Sequence, residues 1–269
     1  MRHSRKVESS NPPRHIYITG GASGIGLQLA RDYVRSGCAV TLFDIQSTEN
    51  AVAELSAISG GGPVRAFALD VGDSLSVREV FSEAAAEQGP DVVIHCAGIC
   101  IAAPFDEIDD DAYTRLININ LLGSRHVAAG ALPHLTSGTQ LVFVASMAGL
   151  VGCYGYSAYC ASKYGVVGLA EVLRIELAPR GIDVSVVCPP EVETPLVVEE
   201  RKNRPKQTES LKLMAGTLPV EFAVEQIRRG IDQRRFLIIP GKRARSLWFT
   251  NKLLPGFLTR RLADFLVSR

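Results

Sequence analysis

In the segment Tyr159-Cys-Ala-Ser-Lys163 a phenol and an ammonium stand four residues apart, and so share one face of any helix that carries them. A free phenol has a pKa of ~10 and is a poor base at neutral pH. A neighbouring ammonium favours the phenolate and brings the group toward general acid/base work. Ser146 lies thirteen residues earlier, after a strand-like run. In a parallel sheet a strand end and the start of the next helix open onto the same ligand-binding edge. Alone, a Tyr-xxx-Lys pair is usually an exposed helix face, so its meaning depends on a second motif.

That motif is Thr19-Gly-Gly-Ala-Ser-Gly-Ile-Gly26, between a strand-like and a helix-like run. Gly20, Gly24 and Gly26 permit a tight turn, close approach of backbone to a pyrophosphate, and close packing of helix on strand. The helix N-terminus presents free N–H groups to phosphate charge. Asp44 ends the next strand-like run, eighteen residues past Gly26. There a carboxylate accepts hydrogen bonds from the adenosine ribose and repels a 2′-phosphate, while Ser23 and Gln46 bring no positive charge. NAD is therefore expected over NADP, with a solvated strand-end aspartate as the plain alternative. Asp70 ends the third strand and is a weaker candidate for the adenine amino group.

These residues must be positioned by a regular alternation. HIYIT (15–19), AVTLFD (39–44), VRAFALD (64–70), DVVIH (91–95), QLVFVA (140–145), IDVSVVC (182–188) and FLIIP (236–240) are apolar runs without polar alternation, as expected of strands covered on both faces. Helical runs lie between them at 24–35, before the glycines of 60–62, at 74–88, after Ala112 and at 157–178. Alternation of this kind predicts an α/β fold: a single doubly wound, Rossmann-type parallel sheet of seven strands with helices on both faces.

Composition agrees with a globular chain: 269 residues, 46% hydrophobic and 21% charged. The longest apolar runs are too short to span a bilayer, and the polar N-terminus is unlike a secretory signal. Six scattered cysteines complete no zinc spacing and read as reduced thiols of a cytoplasmic protein, with no metal. Residues 1–15 carry a net charge of +3 and residues 240–269 a net +6, which leaves −8 on the body between them. An acidic body without a basic stripe argues against nucleic acid as a partner.

Taken together, TGGASGIG, Asp70-Val71, Cys96-Ala97-Gly98, Asn120-Leu-Leu-Gly123, Ser146, Tyr159-xxx-Lys163 and Pro189-Pro-Glu-Val-Glu-Thr194 resemble the short-chain dehydrogenase/reductase family over about residues 14–240. The resemblance implies that Tyr159 is the acid/base and that Lys163 binds the nicotinamide ribose and lowers the tyrosine pKa. Ser146 would hold the substrate oxygen, and Asn120 would position a proton-relay water. Gly20, Ser23, Gly24, Ile25, Gly26, Asp44, Asp70, Val71, Ala97, Gly98 and Pro189 would line the nucleotide site, with Val192 and Thr194 on the nicotinamide carboxamide. It also implies a homodimer or homotetramer, with the helices after Ala112 and Ser157 as interface candidates. Cys96 stands where the family has Asn, and Pro190 where it has Gly. Both departures are similar to the 3-ketodihydrosphingosine reductase branch, which reduces long-chain ketones with NADPH.

The leading expectation is NAD-dependent interconversion of a secondary alcohol and a ketone on a lipophilic substrate, with NADPH-dependent ketone reduction as the alternative. An idle binding protein would have lost Tyr159 or Lys163. Residues 190–218 mix Leu196, Val197, Val198, Leu211, Leu213, Met214 and Leu218 with the charged run EERKNRPK (199–206). They are expected to form a substrate lid, the charges otherwise being a solvated face. Residues 1–13 read as a flexible basic tail. Residues 241–269 read as a basic amphipathic extension with Leu247, Leu254, Leu258, Leu262 and Phe265 on one stripe, which either contacts a membrane surface peripherally or packs on protein.

Overall fold

The computed structural model describes residues 14–257, with 261 and 264. The expected basic tail, and Leu258, Leu262 and Phe265 of the C-terminal stripe with Arg260 beside them, lie outside the described residues.

The chain runs β1 (His15–Thr19), α1 (Gly24–Arg35), β2 (Ala39–Asp44), α2 (Glu49–Ser56), β3 (Val64–Ala68), α3 (Ser74–Ala85) and β4 (Val92–His95). It continues with α4 (Asp110–Ile117), α5 (Gly123–Ala131), β5 (Gln140–Val144), α6 (Ser157–Leu177) and β6 (Asp183–Val187). The last part is β7 (Glu191–Val192), α7 (Pro195–Arg201), α8 (Lys206–Ala215), β8 (Thr217–Leu218), α9 (Val220–Asp232), β9 (Leu237–Ile238) and α10 (Lys242–Leu253). Seven strands form one parallel sheet in the order β3-β2-β1-β4-β5-β6-β9, while β7 and β8 pair separately. The order reverses beside β1, so the crevice between the ends of β1 and β4 is the place where such a sheet takes a ligand.

Every residue of β1 and β5 is buried, as their unbroken apolar sequences require. The sheet separates two cores. Tyr17, Phe43, Phe81 and Phe143 pack on one face, and Ile16, Leu29, Leu42 and Val142 on the other. The edge strands are weaker than their sequences imply. β3 is only half-buried, and β9 pairs through two residues before Pro240, which has no N–H to continue a ladder.

The long helical run after Ala112 begins at Asp110, where Asp109 caps the N-terminus by accepting from the Ala112 N–H. It is not one regular helix. A π-turn at Asn118–Leu122 separates α4 from α5, and turns of this type occur mostly as local insertions at functional sites. Among the described residues no helix is long and apolar enough to cross a membrane.

Candidate active site

At the C-terminal edge of the sheet a cavity of about 510 Å³ runs from the glycine turn to α10. Its wall includes Gly20, Ser23, Gly24, Ile25, Gly26, Asp44, Asp70, Val71, Ala97, Gly98, Ser146, Tyr159, Lys163, Pro189, Val192 and Thr194. Sixteen residues singled out along 175 positions of sequence thus meet in one crevice.

The glycine turn is as tight as its composition demands. Gly20 has φ +68°, and a Cβ there would come within 2.7 Å of the Ala97 N. A Cβ on Gly26 would drive into the Gly20 carbonyl. Ser23 precedes α1 without a side-chain capping bond, and no acid sits in the first turn, so the opening N–H groups remain available to an anion. Asp44 braces the same turn. Its Oδ2 accepts from the Ala22 N–H at 2.9 Å and its Oδ1 from the Gln46 N–H at 3.0 Å. A carboxylate has roughly four acceptor positions, so two remain for ribose hydroxyls. This cradle fits a dinucleotide. Asp70 spends Oδ1 on the Gly72 N–H at 2.8 Å. Arg115 of α4 also reaches the cavity wall, a cation not foreseen from the sequence.

Across the crevice Ser146 lies two residues past the end of β5, and Tyr159 and Lys163 lie on the first turns of α6. Ser146 hydrogen-bonds to the Tyr159 side chain and accepts from the Ala148 N–H at 3.1 Å. The Lys163 Nζ donates to the Val144 carbonyl at 3.0 Å and lies 5.6 Å from the centre of the Tyr159 ring. Burial pushes the Tyr159 phenol above its ordinary value, and the bond from Ser146 pulls it the other way. Burial also lowers Lys163 to about 8. The expected downward push on Tyr159 is therefore outweighed here by desolvation.

Asn120 is not on the cavity wall. It is buried on the π-turn, its Oδ1 accepting from the Ile99 N–H at 2.8 Å and its Nδ2 donating to the Ile99 carbonyl at 2.9 Å. Its own carbonyl accepts the Ser124 hydroxyl at 2.6 Å. With both ends of the side chain occupied, Asn120 ties the β4 loop to α6 through Ser162, at 3.2 Å.

The other half of the cavity carries what sequence reasoning missed. The run 199–206 is not simply a solvated face: Glu200 and the side chain of Arg204 are buried, and with Glu191 and Lys212 they form an ionic network. Arg204 holds Glu200 through paired hydrogen bonds and reaches Glu191 at 2.5 Å, while Lys212 meets Glu191 at 2.6 Å. Arg201 also bonds Glu191. The Tyr156 hydroxyl donates to Glu200 at 2.6 Å and accepts from Lys212 at 2.8 Å. Its ring stands edge-on to Tyr159 at 5.2 Å. Burial works against the charge of Glu191, but hydrogen bonds from Lys212 and Arg201 outweigh it and hold the carboxyl at about 2. The only local hint in the sequence was the Glu200–Arg204 spacing of four.

The remaining wall is mostly apolar: Leu196 and Val197 of α7, Leu211 and Met214 of α8, and Leu247 and Leu254 at α10, with Thr250 and Asn251 of α10 as polar exceptions. The segment read as a separate C-terminal extension therefore contributes to the cavity. Ala244 is buried, and Leu247 and Trp248 pack on the main core.

The sequence profile described as short chain dehydrogenase matches residues 14–205. A 3-dehydrosphinganine reductase of Danio rerio is 31% identical over 230 residues, covering 82% of this chain and 69% of the relative. A D-threitol dehydrogenase of Mycolicibacterium smegmatis is 36% identical over 183 residues, covering 66% and 70%. A short-chain dehydrogenase of Sphingobium yanoikuyae, solved in complex with NADPH, shares the fold with a TM-score of 0.76 at 24% identity, over 93% of this chain and 95% of that one. With the profile spanning most of the chain and relatives above 30% identity, this protein belongs to the short-chain dehydrogenase/reductase family, oxidoreductases acting on CH–OH and ketone groups.

Proposed function

We propose that the protein is an NAD-dependent oxidoreductase that interconverts a secondary alcohol and a ketone on a lipophilic substrate. The observation that carries this reading is the convergence of Ser146, Tyr159 and Lys163 on a cavity whose opposite wall is Leu196, Val197, Leu211, Met214, Leu247 and Leu254. In the oxidising direction Tyr159 accepts the hydroxyl proton while Ser146 holds the oxygen as it becomes a carbonyl. In the reducing direction the same phenol returns the proton. A bound nicotinamide dinucleotide supplies the two-electron chemistry. The protein's share is orientation and charge stabilisation within a crevice that limits water.

Gly20, Gly24 and Gly26, with Ser23 and Ile25 at the head of α1, would receive the pyrophosphate. Asp44 would accept the adenosine ribose hydroxyls, and Asp70 with Val71 would meet the adenine. Ala97, Gly98, Pro189, Val192 and Thr194 would bracket the nicotinamide end, and Lys163 its ribose. Asn120 would position a proton-relay water, but its side chain is held by Ile99 and Ser162 and its carbonyl already accepts the Ser124 hydroxyl, so such a water would have to share that carbonyl's second lone pair. The choice of NAD rests on Asp44, whose charge opposes a 2′-phosphate. Similarity to a 3-dehydrosphinganine reductase, and to a structure holding NADPH, favours a second reading, NADPH-dependent reduction of a long-chain ketone. Leu122 on the π-turn and Tyr164, Val172 and Ile175 on α6 are exposed, consistent with a homo-oligomer built on the helices after Ala112 and Ser157.

The deciding experiment is nicotinamide absorbance with NAD and with NADP across secondary alcohols of increasing chain length. Faster turnover with NAD and rising kcat/KM with chain length are expected. A preference for NADP would replace this reading by the second.

A further inference from the structure

α10 has two working faces. Its inner face buries Ala244, packs Leu247 and Trp248 on the core, and lends Leu247, Thr250 and Asn251 to the cavity. Its outer face carries Phe249 and Leu253, four residues apart and 56% and 66% exposed. Phe257 beyond it and Leu213 of α8 are exposed as well, at 55% and 61%. Leu254 both lines the cavity and faces solvent, so the exposed apolar residues adjoin the cavity wall.

The charge beside this line has one sign. Lys242, Arg243, Arg245 and Lys252 are all exposed, and among the described residues none of them is in a salt bridge. Arg243 donates to the Leu213 carbonyl, Arg245 to the Gly241 carbonyl, and the Lys252 ammonium lies 5.3 Å from the Trp248 ring. From 233 to 263 the sequence holds no Asp or Glu at all, against eight Lys and Arg. Projecting rings flanked by cations that meet no carboxylate among the described residues match a surface that is apolar beneath and anionic on top.

We infer that α10 and its continuation to Phe257 dock the protein on an anionic lipid surface, Phe249, Leu253 and Phe257 entering the interface while Arg245 and Lys252 meet lipid phosphates. The docked face adjoins the apolar wall of the cavity, so a lipophilic substrate could pass from the bilayer toward Tyr159 without crossing bulk water. This deepens the proposed function and rests on its lipophilic substrate for its purpose; the docking itself is measured without turnover.

The test uses the full chain and vesicles of phosphatidylglycerol and phosphatidylcholine in equal parts, beside vesicles of phosphatidylcholine alone. The wild type is expected to sediment with the anionic vesicles at low salt, and to be released at about 1 M salt, where charges are screened beyond ~3 Å. Phe249→Ser/Leu253→Ser, both outside the cavity wall, should reduce partitioning at least tenfold with NAD binding unchanged. Arg245→Gln/Lys252→Gln should lower it roughly fivefold per charge and flatten the salt dependence. Trp248 is the single tryptophan, and its fluorescence in the unmodified protein should shift on adding anionic vesicles. Absence of sedimentation at low salt, equal sedimentation of the apolar variant, or an unchanged Trp248 signal would overturn the inference. A wild-type mass that halves in the apolar variant, without vesicle binding, would assign the face to a second copy of the chain instead. Vesicle binding without oxidation or reduction of any alcohol or ketone would leave the docking standing and sink the proposed reaction.

Discussion

The two ends of the cavity are held by opposite means. At the nucleotide end the wall is mostly backbone: a glycine turn, an uncapped helix start, and Asp44 bonded to two amide N–H groups. At the substrate end α7 and α8 are fastened by buried charges, with Glu191 and Glu200 shared between Arg204, Lys212 and the Tyr156 hydroxyl. The first arrangement asks for particular residues at fixed local spacings. The second asks only that charges pair once the chain has folded back, and so can change with the substrate. A rigid cofactor end and a re-tailorable substrate end follow from that difference in construction.

Saturation of the network also decides what it does. Glu191 and Glu200 use their oxygens on Arg201, Arg204, Lys212, Thr217 and Tyr156. Little capacity is left to bind a charged substrate. The network instead fixes the roof over Tyr159, through Tyr156, which touches both.

The sharpest separation of the two ends comes from Tyr159→Phe. It removes the proposed proton acceptor and leaves the nucleotide cradle intact, so turnover should fall by about 10²–10⁴ while NAD affinity stays within about twofold. More than a tenth of wild-type turnover would contradict the assigned role. Lys163→Ala, by contrast, should damage both rate and nucleotide affinity, and loss of only one would separate its two assigned tasks.

Next in size is Glu200→Ala. Leaving a buried charge wholly unpaired costs on the order of 3–5 kcal/mol; Glu191 still meets Arg204 and Lys212, so the loss should lie toward or below the lower end of that range. Chemical denaturation should register that loss, and KM for a bulky alcohol should rise more than KM for NAD. Glu200→Gln keeps an acceptor for Tyr156 and should restore part of the substrate KM. Equal changes in the two KM values would mean that the network supports the whole fold rather than one end of it.

Asp44→Ala is expected to have a smaller effect. Relief of 2′-phosphate repulsion should narrow the proposed preference for NAD over NADP by about tenfold, and loss of the bonds to the Ala22 and Gln46 N–H groups should lower melting temperature slightly. A preference that does not move would shift attention to Arg115, the cation on the same wall.

How far each end was legible in the sequence follows from the same contrast. Gly20, Gly24, Gly26 and Asp44 announce themselves because a local turn needs those residue types at those intervals, and Tyr159 and Lys163 because one helical turn joins them. The seven strands are legible because burial on both faces leaves unbroken apolar runs. Glu191 pairs with Arg204 across 13 positions and Tyr156 with Glu200 across 44, distances over which no local period operates. The π-turn at Asn118–Leu122 was hidden for another reason: its apolar residues continue the pattern of α4. α10 is legible as an amphipathic stripe that either packs on protein or meets a membrane surface, but the sequence does not say which face does which, because a helix with one face on the core and another outside it reads as a single stripe.

Acid should weaken the substrate end selectively, and the sign can be worked out from Glu191. Its carboxyl is held at about 2, against an ordinary value of 4.5, because hydrogen bonds from Lys212 and Arg201 outweigh the cost of burial. Glu200 is displaced the same way, with burial opposed by bonds from Arg204 and Tyr156. A carboxylate whose pKa is lower in the folded chain stabilises that chain fully above the unfolded value, and the stabilisation drains away as pH falls through the folded one. The network therefore contributes in full above about 4.5 and progressively less down to about 2. The denaturation midpoint of the wild type should drop with pH across that window. In Glu191→Gln the starting midpoint should be lower and the slope shallower, because one of the two carboxylates no longer takes up a proton. Identical slopes in the two proteins would show that the acid sensitivity arises elsewhere, and that the ionic roof is not what distinguishes the two ends of the cavity.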